Sequence, residues 1–287
     1  MYSPLQSITL DGLQVKYRVQ GEGPGVLMVH GWASSSRMWQ RMMDDLGSRY
    51  RCVALDLPGF GDSEKPGDTW YSMSGYVRLV NQFTQALGLH RPAVIGHSMG
   101  GMIAIAMAAE DGGRLSRLIA INPVVTGRTY LDLRMLANPR LGWPMLKLGR
   151  WFWPLTTSDV VGPWLGHERS LQLKRIREDW GKSTPISAMA TARAMGQCDL
   201  TPLLPRIATC TLIVLGSRDL TAPNAEGKLA ARRIPGARTV MFPTGHLPTD
   251  DMPDETNAAV ESFLAGEPVA AAERLQSSAQ EDSIWTR

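Results

Sequence analysis

Residues 93–106 read AVIGHSMGGMIAIA, and this stretch decides the fold. Its first residues are apolar and predict a short buried strand, while the residues after Ser98 predict a helix that is apolar on nearly every side. Ser98 then stands at the apex of a sharp turn from strand to helix. Gly96 and Gly100 suit such a turn, because neighbouring backbone passes where the Cβ atom of any other residue would lie. The pattern Gly-x-Ser-x-Gly in this setting is typical of a turn that presents a reactive serine.

The predicted helix behind Ser98 also favours a reactive serine. Its first N–H groups have no partner within the helix and point at the place where an anion forms above the turn. The five-residue pattern by itself is common, so the alternative is a glycine-rich turn with an incidental serine. The residues that could act together with Ser98 therefore decide between the two interpretations.

Apolar segments with the length of strands alternate with helical patterns along most of the chain. Residues 6–20 alternate between polar and apolar around Asp11 and Gly12, which predicts a β-hairpin. Further strands are predicted at residues 26–29, 52–55, 115–121, 211–215 and 239–242, and further helices at residues 38–46, 75–87, 223–233 and 252–264. This order predicts an α/β fold with a mostly parallel central sheet, helices on both faces and reactive loops at the carboxyl ends of the strands.

The alternation stops between residues 124 and 197. No strand is evident there, and five tryptophans accumulate among Leu, Met and Pro residues. We therefore predict a helical cap at residues 124–197, inserted into a core formed by residues 1–123 and 198–265. Residues 266–287 are rich in Ala, Glu, Gln and Ser without an apolar stripe, which predicts a disordered tail.

The predicted cap is more basic than the rest of the chain. Residues 123–195 contain eleven Lys and Arg residues against five Asp and Glu residues. This balance predicts first of all a solvated outer face over an apolar inner face. The alternative is a basic, Trp-rich surface that attracts acidic substrates or makes weak contact with a membrane surface.

Composition excludes several classes of protein. The 287 residues carry a net charge of +3, which is too weak to argue for a nucleic-acid partner. We expect neither a signal peptide nor an integral membrane segment, because no basic-then-apolar start and no run of about eighteen apolar residues is present. Cys52, Cys198 and Cys210 are too few for a disulfide framework or a zinc site, which favours a cytoplasmic protein without a metal. Cys52 and Cys210 lie in apolar runs and are expected to be buried.

A serine hydroxyl needs a base to react near neutral pH, and the base needs a group that orients it. Of the five histidines, His246 alone lies on a loop after a late strand with a glycine beside it. Asp219 follows the penultimate strand and completes the chain order serine, acid, histidine. Ser98, Asp219 and His246 are therefore the predicted catalytic residues. Asp250 and Asp251 are expected on the outer surface, with Asp251 kept as a second candidate for orienting the base.

Acyl transfer also needs donors for the negatively charged oxygen that develops on the substrate. The first predicted donor is the backbone N–H of Met99, which follows the serine, and the second is the backbone N–H of Trp32. Trp32 ends the sequence His30-Gly31-Trp32, which closes a predicted central strand. The indole of Trp32 is expected to form a wall of the substrate pocket.

Five motifs in this order resemble the α/β-hydrolase family, in its capped and cofactor-free form. They are His30-Gly31-Trp32, DLPGFGDS at residues 56–63, GHSMGG at residues 96–101, Gly216-x-x-Asp219 and Gly245-His246. The resemblance covers about residues 5–265. It implies an α/β-hydrolase fold, Ser98 as nucleophile, Asp219 as acid, His246 as base, and a cap between the sixth and seventh core strands. It also implies structural roles around the site for His30, Gly31, Gly96 and Gly100, and for His97.

Residue types exclude some relatives. Haloalkane dehalogenases and epoxide hydrolases of this fold carry an aspartate where Ser98 stands, and some members place the acid where Asn122 stands. We therefore expect a serine hydrolase that cleaves an ester-like bond of a small, largely apolar molecule through an acyl-enzyme. On the same residues, the alternatives are a C–C bond hydrolase, a lactonase, a perhydrolase or an acyltransferase. A ligand receptor of this fold without catalysis is a further alternative.

Overall fold

The computed structural model of the chain describes residues 2–129, 133–138, 140–146 and 167–269. The strands are β1 (Leu5–Leu10), β2 (Leu13–Gln20), β3 (Gly25–Val29), β4 (Arg51–Leu55), β5 (Ala93–His97), β6 (Arg117–Ile121), β7 (Thr211–Gly216) and β8 (Arg238–Phe242). They form one sheet in the spatial order β1-β2-β4-β3-β5-β6-β7-β8. β2 pairs antiparallel with β1 and with β4, and every other pair is parallel.

Helices cover both faces of the sheet. They are α1 (Gln40–Leu46), α2 (Met73–Ala86), α3 (Met99–Glu110), α4 (Leu133–Ala137), α5 (His167–Lys182), α6 (Pro185–Gly196), α7 (Asn224–Arg233), α8 (Pro248–Asp251) and α9 (Pro253–Ala265). Successive side chains of a strand point to opposite faces. In β3, Leu27 and Val29 accordingly pack with the apolar cluster of α2, α3 and α7, while Val26 and Met28 pack with that of α1 and α9. The predicted α/β fold is confirmed.

Two local patterns place the Ser98 turn at the centre of the sheet. Asp11 and Gly12 have positive φ angles of 47° and 79°, as a two-residue hairpin between β1 and β2 requires. This hairpin forms one edge of the sheet, whereas β5 lies between β3 and β6 and is buried along its whole length. A strand that is covered on both faces must be apolar, which explains the run before Ser98. Ser98 therefore emerges at the carboxyl end of a central strand.

The chain between β6 and β7 contains the predicted insertion, and we call residues 124–197 the inserted segment. Residues 124–129 have no regular structure, and the described part from residue 133 onward is largely helical, in α4, α5 and α6 and at residues 140–146, without a strand. α6 begins with a capping box, in which the side chains of Thr184 and Ser187 bind each other's backbone N–H groups. Residues 147–166, which carry three of its tryptophans, lie outside the described residues. The division into core and cap remains a prediction.

The end of the described chain packs on the core. Gly266 ends α9 with a φ of 82°, and Val269 is buried in the cluster that also contains Phe263. Residues 270–287, the larger part of the predicted disordered tail, lie outside the described residues.

Of the cysteines expected to be buried, Cys52 is buried in β4. The expectation for Cys210 is wrong, because it lies just before β7 and is exposed. Across the described ranges, no helix is long and apolar enough to span a bilayer.

Candidate active site

Ser98 connects β5 to α3 in a backbone conformation that residues other than glycine rarely adopt. Its φ is 54° and its ψ is −114°, and a side chain strains the backbone in this region. A Cβ atom on Gly96 would collide with the carbonyl group of Gly100, and one on Gly100 would collide with the carbonyl oxygen of Val29. The turn therefore has no room for a side chain at either glycine.

The loop after β3 passes directly over this turn. A Cβ atom on Gly31 would lie 2.9 Å from Nδ1 of His97 and 3.1 Å from Cβ of Ser98. His30 fixes the loop, because its Nδ1 lies 2.7 Å from the carbonyl oxygen of Gly31 and its Nε2 accepts the N–H of Leu57 at 2.9 Å. Since Nε2 accepts, Nδ1 carries the ring proton. Burial lowers the pKa of His30, in keeping with a neutral ring.

The backbone N–H groups of Trp32 and Met99 donate to no acceptor among the described residues. Met99 is the first residue of α3, so its N–H belongs to the unpaired first turn of that helix. The peptide between Gly31 and Trp32 is trans, which directs its N–H away from the carbonyl oxygen that His30 holds. Both N–H groups are therefore available to a bound ligand.

Asp219 and His246 come together from the loops after β7 and β8. Nδ1 of His246 lies 2.7 Å from Oδ2 of Asp219, whose side chain is 1% exposed. Oδ1 of Asp219 accepts the N–H groups of Thr221 and Ala222 at 2.7 and 3.0 Å. Burial alone would raise the pKa of Asp219, but the hydrogen bond and charge of His246 and the two N–H groups outweigh burial and lower it. The carboxylate stays ionised and holds the imidazole with its proton on Nδ1.

The Asp219–His246 pair lies beside the Ser98 turn. The rings of His97 and His246 have centroids 4.6 Å apart, and Nε2 of His97 lies 2.8 Å from the carbonyl oxygen of His246. The hydroxyl of Ser98 has no hydrogen-bond partner in the described part of the chain, whereas its backbone N–H donates to Ile121 at 2.9 Å. The structure thus brings the three predicted catalytic residues to one edge of the sheet, with the acid–imidazole bond formed and the serine hydroxyl unbound.

His97 is a neutral donor beneath the predicted base. Burial, together with the neighbouring His246, lowers the pKa of His97 to about 3. Its Nδ1 is buried and has no hydrogen-bond partner among the described residues, so the ring proton lies on Nε2 and is donated to the carbonyl oxygen of His246. His97 therefore supports the backbone of His246 and does not compete with it for a proton.

Asn122 was not among the predicted site residues, although it binds the same loop. It follows β6 with a φ of 41°, and its side chain contacts the backbone of Gly216, Gly245 and His246. A polar residue that closes a buried strand, followed by Pro123, is the only sequence signal for this role. The signal is weak because Asn-Pro is common in ordinary turns.

The two carboxylates after His246 bind a backbone N–H of the loop and an arginine of the inserted segment. Oδ2 of Asp251 accepts the N–H of Gly245 at 3.0 Å, which fixes the loop backbone. The expectation that Asp250 lies on the outer surface is wrong. Its side chain is 8% exposed and forms an ion pair with Arg175 of α5 at 2.6 Å. The helix of the inserted segment covers this face of the molecule, and sequence proximity to His246 did not reveal it.

Several basic residues of the inserted segment point toward the core. Besides Arg175, Lys182 pairs with Asp62 at 2.6 Å and Arg193 pairs with Asp68 at 2.8 Å. The hydrogen bond and charge of Lys182 outweigh burial and lower the pKa of Asp62. Part of the positive charge of this segment therefore attaches it to the core.

An apolar cavity of about 370 Å³ lies between the Trp32 loop and the inserted segment. Its lining consists of Trp32, Ala33, Trp143, Leu146, Trp180, Ser183, Thr184, Pro185 and Ala188. The indole of Trp32 packs edge-on against that of Trp180 at 5.2 Å, and its Nε1 donates to the carbonyl oxygen of Ala188 at 3.1 Å. The described lining carries no charged side chain. Trp32 lines this cavity with its indole, and its backbone follows Gly31, which lies against Ser98.

Comparisons with known proteins point to one family. A family model described as the alpha/beta hydrolase family matches residues 26–259. The chain is similar to haloalkane dehalogenase 2 of Mycobacterium bovis, with 31% identity over 266 residues that cover 86% of this chain and 90% of that protein. It is similar to the pimeloyl-[acyl-carrier protein] methyl ester esterase of Aeromonas hydrophila, with 26% identity, 85% of this chain and 96% of that protein. Among solved structures, the enol-lactonase from Burkholderia xenovorans matches with a TM-score of 0.77 and 25% identity, over 91% of this chain and 100% of that chain.

Proposed function

This chain belongs to the alpha/beta hydrolase family, and we propose that it is a serine hydrolase that cleaves an ester-like bond of a small, largely apolar substrate through an acyl-enzyme. One observation carries the proposal. Nδ1 of His246 lies at hydrogen-bond distance, 2.7 Å, from the buried carboxylate of Asp219, beside the strained turn that presents Ser98. Backbone strain and buried carboxylate–imidazole pairs are concentrated at sites that do chemistry.

The first half of the reaction forms the acyl-enzyme. Nε2 of His246 takes the proton of the Ser98 hydroxyl as Oγ attacks the substrate carbonyl carbon. The carbonyl oxygen becomes negative and accepts the N–H groups of Trp32 and Met99, while Asp219 stabilises the imidazolium. The tetrahedral intermediate then collapses: the ester bond breaks, and His246 gives its proton to the departing alcohol.

The second half releases the acid. Water attacks the acyl carbonyl carbon, His246 takes its proton, and the same two N–H groups hold the oxygen. The bond to Ser98 breaks, and its oxygen regains the proton from His246. Catalytic hydrogen bonds are often long without substrate and tighten in the complex, which accounts for the unbound hydroxyl of Ser98.

The lining of the cavity supports an apolar substrate. Three indoles suit an alkyl or aromatic group, and the described part of the lining offers no positive charge to a carboxylate. This argues for an ester and against a C–C bond hydrolase acting on an acidic ring-fission product. Lys182 and Arg193 of the basic inserted segment are paired with core carboxylates, so these two residues do not serve to draw in an acidic substrate.

Hydrolysis of p-nitrophenyl esters of increasing chain length tests the proposal. Ser98→Ala is expected to lose at least about 10⁴-fold in kcat, because the nucleophile acts as a unit with its base. Ser116→Ala changes an exposed serine and serves as the matched control with unchanged rates. A fluorophosphonate should label the wild type and Ser116→Ala but not Ser98→Ala. Equal turnover by the wild type and Ser98→Ala would overturn the proposal.

A lactone is the second candidate substrate. It is an ester closed into a ring, so the same two half-reactions open it, and the chain shares its fold with an enol-lactonase over that protein's full length. Perhydrolase and acyltransferase activities share the acyl-enzyme and differ only in the molecule that attacks it. Parallel assays with a γ-lactone, with hydrogen peroxide and with an added alcohol separate these reactions.

Dehalogenase activity is not part of the proposal, despite the similarity to a haloalkane dehalogenase. Attack by Ser98 on an alkyl halide would leave an ether, and an ether has no carbonyl carbon at which water could release the product.

A receptor without catalysis would show ligand-dependent melting shifts without turnover, which the ester assay distinguishes.

Location and membrane contact remain predictions. All three cysteines are free, in keeping with a reducing, cytoplasmic setting.

Leu141 and Trp143 of the inserted segment are 45% and 44% exposed, which is the feature that favours weak contact with a membrane surface. Co-sedimentation with anionic phosphatidylserine vesicles tests it, and equal recovery with and without vesicles would rule it out.

A further inference from the structure

Asp179 is a buried carboxylate of the inserted segment that the reaction above does not use. It lies on α5 with a relative exposure of 1%. Oδ1 accepts the hydroxyl of Ser35 at 2.9 Å and Nε of Arg37 at 3.0 Å. Ser35 and Arg37 follow Trp32 on the loop after β3, and they are 144 and 142 residues from Asp179 along the chain. One side chain of the inserted segment thus holds the loop that carries a proposed oxyanion donor.

The loop needs such a support. Residues 30–35 contain no helix or strand, and Ala33 has a φ of 54°, a conformation that costs free energy in any residue except glycine. His30 fixes the beginning of the loop through the carbonyl oxygen of Gly31. Asp56 fixes its end by accepting the N–H of Ser36 at 2.6 Å. Between these two points, the hydroxyl of Ser35 and the indole of Trp32 bind the inserted segment.

The residue after Asp179 acts on the same loop. Trp180 packs edge-on against the indole of Trp32 at 5.2 Å, so two successive residues of α5 contact the loop from above. Burial raises the pKa of Asp179, although the charge of Arg37 and the hydrogen bonds of Arg37 and Ser35 oppose this rise. Oδ2 of this buried carboxylate has no hydrogen-bond partner in the described part of the chain, which costs free energy of folding. Positioning the loop is the role that its contacts support.

We propose that Asp179 is a positioning residue for the chemical step, which aims the N–H of Trp32 at the developing oxyanion by holding Ser35 and Arg37. This inference rests on the proposed function. It predicts that the inserted segment acts on kcat through the loop, in addition to forming the substrate cavity. A purely architectural role would instead lower stability or raise KM and leave kcat unchanged.

Glu178 provides a matched control, because it binds the same arginine from the solvent side. It pairs with Nη1 of Arg37 at 2.7 Å and is 44% exposed, but it makes no contact with Ser35. Asp179→Ala is expected to lower kcat for p-nitrophenyl esters at least about tenfold, with KM within about threefold. Glu178→Ala should leave kcat within about twofold of the wild type. Asp179→Asn keeps the acceptor oxygen and should recover most of kcat.

Ser35→Ala covers the case in which Asp179→Ala does not fold. It leaves the Arg37–Asp179 pair intact and removes the bond from Ser35 to Asp179 together with the weaker bond at 3.3 Å that Ser35 accepts from the N–H of Arg37, so kcat should still fall at least about threefold. The proposal is overturned if kcat is unchanged in Ser35→Ala, or if Glu178→Ala loses as much as Asp179→Ala.

Amide hydrogen exchange keeps this inference separate from the ester hydrolysis itself. Peptides that span residues 30–37 should exchange faster in Ser35→Ala and Asp179→Ala than in the wild type. In Glu178→Ala their exchange rate should equal that of the wild type. If Ser98→Ala and the wild type hydrolyse esters equally, the proposed function fails, and exchange alone then decides whether Asp179 holds the loop. Equal exchange in all variants overturns the inference.

Discussion

Asn122 donates a hydrogen bond from Nδ2 to the carbonyl oxygen of His246 at 3.0 Å. Its Oδ1 accepts the N–H of Gly216, the last residue of β7, at 2.8 Å. One side chain at the end of β6 therefore joins the end of β7, which precedes Asp219, to the loop after β8, which carries His246. The distance between the proposed acid and base depends on this link.

Removing the side chain of Asn122 is expected to loosen the proposed base. Asn122→Gly deletes the hydrogen bonds to Gly216, Gly245 and His246 while glycine accepts the positive φ, so kcat/KM should fall about tenfold and the free energy of unfolding by about 1–2 kcal/mol. Asn122→Ala loses the same hydrogen bonds and should lower the free energy of unfolding by about 1 kcal/mol more than Asn122→Gly, because alanine is strained at this φ. Ester hydrolysis and urea unfolding measure the two effects. Wild-type kcat/KM in Asn122→Gly would contradict the role assigned to this residue.

A side chain on Gly31 is expected to abolish activity without unfolding the protein. Its Cβ atom would lie 2.9 Å from Nδ1 of His97 and 3.1 Å from Cβ of Ser98, so the loop must retreat from the turn. Gly31→Ala should lower kcat by about 10²–10³-fold, the usual effect of losing one oxyanion donor. Gly67→Ala, whose Cβ atom meets nothing within 4 Å, is the control. Equal kcat values in the two variants would contradict the proposed role of the loop.

The cavity predicts how acyl chain length affects activity. Ala188 lines the cavity and is 4% exposed, whereas Ile186 on the same helix is 50% exposed. Ala188→Phe should fill the cavity and lower kcat/KM for octanoate esters at least about tenfold, with acetate esters within about threefold. Ile186→Phe should leave kcat/KM unchanged for both octanoate and acetate esters. A parallel loss for both esters in Ala188→Phe would indicate general disruption and contradict the assignment of the cavity.

Local patterns predicted much of this structure, because the information lies within a few residues. The strand before Ser98, the two glycines around it and the buried α3 follow from one continuous stretch. Asp219 and His246 were selected by chain order and by their place after strands, which needs no knowledge of packing. The predicted strand ends differ from the structure by at most two residues.

Contacts between distant residues could not be predicted in this way. Ser35 and Asp179 are 144 residues apart, and neither lies in a pattern that distinguishes it from other polar residues. Asp250 was expected outside because nothing in the sequence places α5 over it. Cys210 was expected inside because its neighbours are apolar, yet it stands one residue before β7 begins. The partners of such residues depend on how the elements pack.

The buried histidine beneath the base predicts how stability depends on pH. His97 has a pKa of about 3 in the folded protein, against 6.5 for an exposed histidine, because burial and His246 disfavour its charged form. Between these values the unfolded chain binds a proton that the folded protein does not, so acid favours unfolding. Well above pH 6.5, His97 is unprotonated in both the folded and the unfolded state, so its protonation no longer lowers the free energy of unfolding. Between pH 7 and pH 5 the free energy of unfolding should fall by about 2 kcal/mol through His97 alone.

Urea unfolding at pH 7, 6 and 5 measures this loss, and two variants assign it. His97→Gln keeps a donor for the carbonyl oxygen of His246 but does not titrate, so its stability should fall about 2 kcal/mol less than that of the wild type. A residual slope is expected from His30, whose pKa burial also lowers. His90→Gln changes an exposed histidine and should follow the wild type. If His97→Gln and the wild type lose equal stability between pH 7 and pH 5, His97 is not held neutral by burial.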